Sequence, residues 1–123
     1  MDKCGFWNVE WLMAYYDITP VKLGQAAMTT SYATIYTVPS NTRTFVKDID
    51  IINTTSAIVH IYVSLVPVGG TAGTDNALFY YNALPAYTTM QWAGSQILDV
   101  GDFISVKASA VGCTITVSGA EGV

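Results

Sequence analysis

The side chains capable of catalysis are few in this chain and widely spaced. The sequence holds one histidine, His60, within an alternating stretch that predicts a strand. A lone histidine on a strand is far more often a surface or interface residue than a catalytic one. No serine sits in a nucleophile-elbow frame, and His60 has no obvious partner. We therefore expect no enzymatic activity and no cofactor.

The carboxylates form two small groups whose spacings must be compared with those of catalytic pairs and metal sites. Asp48 and Asp50 share one face of a predicted strand and lie ~7 Å apart, but glycosidase pairs normally come from different strands that flank a cleft. Asp99 and Asp102 occupy a predicted turn, where Asp is expected for its backbone hydrogen bonds. With Asp75 they do not form the alternating Asp-x-Asp-x-Asp loop of a calcium site. The sequence predicts no metal site.

Composition favours a subunit that packs among neighbours. With 123 residues the chain is one domain that can bury an ordinary core. Only 11% of residues are charged, against a usual ~25%, so Thr, Ser, Asn, Gly and Tyr must build the polar surface. The net charge is −4 and the five basic residues are scattered, which argues against a nucleic-acid partner. Cys4 and Cys113 are best explained as two buried or incidental thiols.

The apolar segments predict neither a membrane partner nor secretion. The longest apolar run, 57–68, is interrupted by His60 and Ser64 and is far shorter than the ~20 residues that span a bilayer. No N-terminal signal peptide is evident, because the apolar segment 6–12 contains Asn8 and Glu10 and no small-residue cleavage site follows. We expect assembly in the cytoplasm of the producing cell.

The stretch 43–67 predicts the centre of the fold. Two β-branched runs flank the polar segment 54–56, which is typical of an antiparallel hairpin. The less regular first run predicts a bulge or a sheet edge near Lys47–Asp48. In the second run, His60, Tyr62 and Ser64 alternate with apolar residues and are predicted to face outward. The apolar residues of that run are Ala57, Val59, Ile61, Val63 and Leu65.

The remaining segments predict further short strands. Residues 22–27 are a short strand or an extended linker, 68–76 a long mobile loop, and 77–84 a strand or a single helical turn. Gly112 is predicted to turn the last two strands into a hairpin. The predicted fold is all-β, a single antiparallel β-sandwich or jelly-roll of about eight short strands over residues 22–123. Other predicted strands are 33–38, 88–92, 96–99, 103–110 and 113–119.

Residues 1–21 are predicted to be an extended N-terminal arm. Residues 1–17 are rich in aromatic residues and show neither strand nor helix periodicity; such an arm usually docks on another surface. That surface is the domain itself, a neighbouring subunit or a different partner. Alternatively, Met13 is the true start and residues 1–12 have no function. The predicted interface residues of the arm are Phe6, Trp7, Trp11, Tyr15 and Tyr16.

Short turn and strand motifs are spread in order over residues 34–119. They are Tyr36-Thr37-Val38-Pro39, Asn53-Thr54, Leu65-Val66-Pro67 with Gly69-Gly70, Leu84-Pro85-Ala86, and Gly101-Asp102 with Ile104. Each motif alone suits many β-sandwiches, but their order and spacing resemble the frame of small virion proteins of tailed phages.

The resemblance implies a β-sandwich or jelly-roll module on the exterior of a phage particle, assembled in the host cytoplasm. It is expected to be a capsid decoration or cement protein that attaches to and stabilises the head shell through its arm. A head fibre or a tail or neck component is the alternative location. The expected partners are the major capsid protein or another virion protein, and further copies of the chain, with a homotrimer favoured. The frame carries no catalytic residues.

An alternative function is recognition of host glycans. The aromatic residues Phe79, Tyr80, Tyr81, Tyr87 and Trp92 would then form a sugar-stacking platform. Exposed rings in one plane would support this hypothesis, whereas a buried Trp92 would favour core or subunit packing. An enzyme would need a second acid or a metal cluster, which the sequence does not offer.

Overall fold

The computed structural model describes residues 18–122 as two packed antiparallel sheets. This confirms the predicted all-β sandwich of about eight strands. A 3-10 turn, Thr74–Asn76, lies between the fourth and fifth strands. The strands are β1 (Thr19–Ala27), β2 (Ala33–Thr37), β3 (Arg43–Asn53), β4 (Val59–Val66), β5 (Ala77–Leu84), β6 (Thr89–Leu98), β7 (Phe103–Ala108) and β8 (Cys113–Gly122).

The strand order is that of an eight-stranded jelly roll. The first sheet has the order β1-β8-β3-β6 and the second sheet the order β2-β7-β4-β5. The two predicted hairpins are therefore wrong, because β3 and β4 lie in different sheets, as do β7 and β8. Alternation shows which face of a strand is buried but not which strand lies beside it. The segments 54–58 and 109–112 cross between the sheets, which lie ~10 Å apart.

The predicted bulge in β3 is confirmed. The register of β3 shifts between Val46 and Asp48 against both β6 and β8. Val46 and Ile49 are both fully buried, although a regular strand would point residues three apart to opposite faces. The extra residue lets both side chains reach the core.

The core lies between the inner faces of the two sheets, as the alternation predicts. Cys113 is buried there, and burial raises the pKa of its thiol. The first sheet contributes Leu23, Val46, Ile49, Ile51, Leu98, Cys113, Ile115 and Val117. The second sheet contributes Val59, Ile61, Val63, Leu84, Ile104, Val106 and Ala108.

Strand β4 departs from strict alternation at its C-terminal end. Ser64, predicted to face outward, is fully buried, and so is Val66. The 3-10 turn after β4 contacts this strand, so the glycine-rich segment predicted as a long mobile loop contains a turn that packs against the sheet. Ala57 precedes the strand and is exposed.

Two other strands differ from their predicted extents, and the alternatives for a third segment are settled. Strand β1 begins at Thr19, which pairs with Glu121, so sheet pairing starts before the predicted boundary at residue 22. The predicted strands 88–92 and 96–99 are one strand, β6, which pairs along β3 across the bulge. Residues 77–84 form a strand and not a helical turn.

Asn53 ties the two sheets together at one end of the sandwich. Its side chain is fully buried at the end of β3. The amide Nδ2 donates to the carbonyl oxygens of Ala57 (2.8 Å), Leu84 (2.9 Å) and Pro85 (3.1 Å). Its Oδ1 accepts hydrogen bonds from the Thr55 backbone N–H (2.9 Å) and hydroxyl (2.7 Å). Because Leu84 belongs to the second sheet, this side chain links both layers and the crossing between them.

The opposite end of the sandwich has a cross-link of its own. The Tyr36 hydroxyl on β2 donates to the Glu121 carboxylate on β8, which joins the second sheet to the first. Burial and the Glu121 carboxylate raise the pKa of Tyr36 to about 12. The phenol therefore stays protonated and keeps this hydrogen bond at physiological pH.

Candidate functional site

The outer face of the second sheet carries a row of aromatic side chains. Tyr32 stands just before β2, Lys107 lies on β7, Tyr62 on β4, and Tyr80 and Tyr81 on β5. Since the sheet order is β2-β7-β4-β5, these residues follow one another across the sheet. Three strand spacings of ~4.8 Å make the row ~14 Å wide. These five residues, with His60, are called the tyrosine row below.

Tyr62 is the centre of the tyrosine row. Its ring centroid lies 6.3 Å from that of Tyr32, 5.1 Å from Tyr80 and 6.1 Å from Tyr81. The first two contacts are edge-to-face, the arrangement that the ring quadrupoles favour. Removal from water and the neighbouring phenols of Tyr80, Tyr81 and Tyr32 raise the pKa of Tyr62. The rings of Tyr32, Tyr80 and Tyr81 thus surround that of Tyr62.

A bulge in β5 places two consecutive tyrosines on the same face. Ile61 pairs with Asn82, and Val63 pairs with Phe79, so Tyr80 and Tyr81 together oppose Tyr62. A regular strand would send consecutive side chains to opposite faces. Tyr81 adopts a left-handed backbone with φ of 56°, and the Asn82 Oδ1 accepts a hydrogen bond from the Tyr80 N–H at 3.1 Å.

Two basic side chains are held against these rings. The Lys107 Nζ lies 4.5 Å from the Tyr62 ring centroid and 5.1 Å from that of Tyr32, which is cation–π geometry. The His60 ring stacks on Tyr81 at 4.0 Å with an interplanar angle of 9°. Lys107 forms no ion pair with any carboxylate of residues 18–122. The tyrosine row thus combines ring faces with an ammonium group that has no acidic partner within this part of the chain.

The structure assembles only part of the predicted glycan platform. Tyr80 and Tyr81 lie together, 52% and 59% exposed. Tyr87 is exposed in the turn after β5 and is not among the rings that contact Tyr62. Trp92 lies on β6 of the first sheet and, like Phe79, packs half-buried against the core. Trp92 is separated from the tyrosines because β6 pairs with β3.

Sequence reasoning missed Tyr32 and Lys107, and it treated His60 and Tyr62 only as outward-facing residues. The alternation in β4 correctly places His60 and Tyr62 on one face. The pairing of Tyr62 with Lys107 depends on the strand order, which joins segments far apart in the chain. No local signal in the sequence carries that information.

The carboxylates considered from the sequence do not form a catalytic pair in a cleft. Asp48 and Asp50 lie on the outer face of the first sheet. Burial, a hydrogen bond to Asp48 and the charge of Asp48 raise the pKa of Asp50. The Gln91 Nε2 donates to Asp48 at 3.2 Å. Residues 18–122 bring no three His, Cys, Asp or Glu side chains together as metal ligands.

The turn carboxylates have structural partners. Asp102 accepts hydrogen bonds from the backbone N–H groups of Val68 and Asp99, each at 2.9 Å. Asp99 forms an ion pair with Arg43 at 3.1 Å. The predicted backbone hydrogen bonds that shape the turn are thus made by Asp102, whereas the Asp99 carboxylate pairs with the side chain of Arg43.

The predicted arm residues lie outside the described part of the chain. They are Phe6, Trp7, Trp11, Tyr15 and Tyr16. Their role as interface residues stays a prediction. Across 18–122, the structure contains no helix that is long and apolar enough to cross a membrane.

Comparisons with known proteins show similarity at the level of the fold. No protein-family model and no curated protein matches the sequence. A solved structure of infectious bursal disease virus, Gx strain, aligns over 86% of this chain and 32% of that chain, with 10% identity and a TM-score of 0.50. This chain therefore spans about a third of the viral chain that it matches. The similarity shows a shared β-sandwich fold.

Two further solved structures align less closely. Bacillus endospore appendages, described as a novel family of disulfide-linked pili, align over 85% of this chain and 87% of that chain, with 15% identity and a TM-score of 0.45. The VP2 subviral particle of infectious bursal disease virus aligns over 85% of this chain and 31% of that chain, with 9% identity and a TM-score of 0.42.

Proposed function

We propose that this protein is a structural component of a tailed-phage particle, a decoration or cement protein on the exterior of the head. The observation that carries the proposal is that the separated motifs of the phage-like frame meet in space. At one end of the sandwich, Val38 donates its N–H to the Asp102 carbonyl at 2.9 Å, and Gly101 donates to the Val38 carbonyl at 3.2 Å. At the other end, Asn53 bonds to Leu84 and Pro85.

The motifs are therefore the residues that close the two ends of the jelly roll. A sequence that preserves their order and spacing preserves this particular sandwich, which supports membership in the group that the motifs resemble. The solved viral structure with a related fold is consistent with the use of such sandwiches in shells. The resemblance concerns fold-closing residues and brings no catalytic group, so the proposed role is structural.

Assembly with other copies and with the shell follows from the surface. A chain with 11% charged residues has few charges to desolvate on contact with a neighbour, and the cores of protein interfaces are depleted in charged residues. We infer a homo-oligomer, with a trimer favoured, bound to the major capsid protein or to another virion protein. Closed symmetry of this kind repeats one interface on every subunit.

The N-terminal arm is the proposed attachment element. Ile18 precedes β1 at the end where Gly122 and the turn 99–102 also lie. The 17 residues before it reach at most ~60 Å when extended, enough to contact an adjacent subunit or the shell. The aromatic residues of this segment would be the anchors, since large aromatic side chains dominate interface energies.

Sedimentation with empty shells tests the attachment. The full chain is expected to sediment with the shells, whereas Trp7→Ala/Trp11→Ala and a chain beginning at Ile18 are expected to remain largely in the supernatant. Beginning at Ile18 keeps all of β1, so the sandwich should retain its unfolding temperature. Tyr87→Ala removes an exposed ring outside the arm and is the matched control. Shell binding by the truncated chain would refute the role of the arm, and failure of the full chain to bind would refute the decoration role.

A further inference from the structure

We propose that the tyrosine row is a binding site for an oligosaccharide that carries acidic groups. This activity goes beyond the proposed attachment to a shell and does not depend on it. The ligand is recognised by two features of the row, namely exposed tyrosine ring faces and an ammonium group without an acidic partner in the described chain. Each feature can be removed by a single substitution.

The first feature is a pair of exposed rings held by a strained backbone. Tyr81 keeps a left-handed conformation, which is strained for a residue other than glycine. Its ring stays 59% exposed and that of Tyr80 52% exposed, so burial in the core does not account for this strain. Backbone strain of this kind is concentrated at ligand-binding sites. The bulge presents two adjacent rings to solvent, and the C–H face of a pyranose can stack on them.

The second feature is the positive charge at the centre of the row. Lys107 is placed between Tyr62 and Tyr32 and forms no ion pair with a carboxylate of residues 18–122. The carboxylates of Asp48 and Asp50 are on the outer face of the other sheet, and that of Glu121 is engaged by Tyr36. Across 18–122 the row therefore has a net positive charge on a chain of net charge −4. A carboxylate or phosphate on a sugar complements this charge.

The same features argue against larger partners. Binding of a nucleic acid needs several cationic side chains along the phosphate backbone. The tyrosine row has only one lysine, Lys107, in addition to His60. A stable protein interface buries about 800 Å² on each side, with some 20–30 residues, whereas the row has six side chains across ~14 Å. An extended oligosaccharide of a few units fits this width and combines apolar ring faces with hydroxyl groups.

The experiment uses the full chain on a glycan array that includes uronic-acid, sialic-acid and phosphate-bearing oligosaccharides, followed by calorimetry with trigalacturonate and neutral maltotriose. We expect binding to acidic glycans in preference to neutral ones. Tyr81→Gly and Lys107→Gln should each weaken trigalacturonate binding about tenfold or more. Binding should also weaken as salt is raised.

The controls separate binding from folding and from self-association. Glycine suits the backbone of residue 81, so Tyr81→Gly should keep the unfolding temperature of the parent chain, and Tyr80→Ser gives a second ring deletion without a backbone change. Tyr87 has the same left-handed φ of 56° but is not among the rings that contact Tyr62, so Tyr87→Ala should bind like the parent chain. The proposal is overturned if no acidic glycan binds, if maltotriose binds equally well, or if the ring deletions change only the oligomer mass, since the row would then be a contact between copies.

Discussion

Replacement of Asn53 by alanine should cause a large loss of stability, because this side chain joins both sheets. The amide group shares its two hydrogens among three carbonyl oxygens and accepts two hydrogen bonds from Thr55. A buried hydrogen bond contributes ~1 kcal/mol net. The two amide hydrogens and the two accepted bonds count as four hydrogen bonds, which would give about 4 kcal/mol.

Water can replace some of the lost hydrogen bonds, which reduces the expected loss of stability. The cost of leaving a buried carbonyl group without a partner sets the lower limit of that loss. The carbonyl groups of Ala57 and Pro85 belong to exposed residues, so water can replace the amide there. The carbonyl of Leu84 belongs to a buried residue and would lose its partner at a cost of about 1–3 kcal/mol. We therefore expect Asn53→Ala to lower the free energy of unfolding by about 3 kcal/mol. For a domain of this size, that loss lowers the unfolding temperature by roughly 10–15 °C.

Urea and thermal unfolding of Asn53→Ala, followed by circular dichroism, measure this loss. Thr54→Ala is the matched control: the Thr54 hydroxyl donates to the Gly112 carbonyl at 2.6 Å, but Thr54 is exposed, and its loss should cost less than about 1 kcal/mol. Equal losses for the two variants would show that Asn53 is not the link between the sheets. A loss below about 1 kcal/mol for Asn53→Ala would refute the reasoning directly.

Three further predictions concern other parts of the sandwich. Gly119→Ala should destabilise by about 1–3 kcal/mol in urea unfolding, because a Cβ would meet the Phe45 carbonyl oxygen of the adjacent strand; a neutral effect would contradict this packing. Asp50→Asn should raise the free energy of unfolding slightly at pH 7. The pKa of Asp50 is raised in the folded state, so the parent chain loses stability as the pH rises through that pKa and the carboxyl group ionises. The uncharged Asn side chain avoids this loss. This gain should vanish below about pH 3, and persistence there would rule out charge repulsion. Cys113 is buried, and the pKa of its thiol is raised. In a Cys4→Ser variant, Cys113 should therefore react with a thiol reagent only on unfolding; rapid labelling of the native protein would disprove its burial.

The strands and the bulge were predictable because they depend on local patterns. Two-residue alternation identified β4, and the broken alternation around Lys47 identified the bulge in β3. The hairpins were wrong because neighbouring segments in the chain lie in different sheets. In a jelly roll the partner of each strand is set by long-range pairing, such as β3 with β8, which the sequence pattern does not encode.

The candidate site was predictable only in part, for the same reason. Aromatic type predicts Tyr80 and Tyr81 as stacking rings, but the same criterion also selects Trp92, which lies on the other sheet. Lys107 and Tyr32 reach Tyr62 through the order β2-β7-β4. The bulge that turns both β5 tyrosines outward depends on pairing with β4, so it had no signature in the sequence.

Quantitative mass spectrometry of purified particles, released by cells that make this protein, tests the central claim most directly. If the protein is an exterior structural component, it will be present in every preparation at a fixed ratio to the major capsid protein, and protease treatment of intact particles will remove it. Absence from the purified particles, with the protein remaining in the cell lysate, would contradict the account.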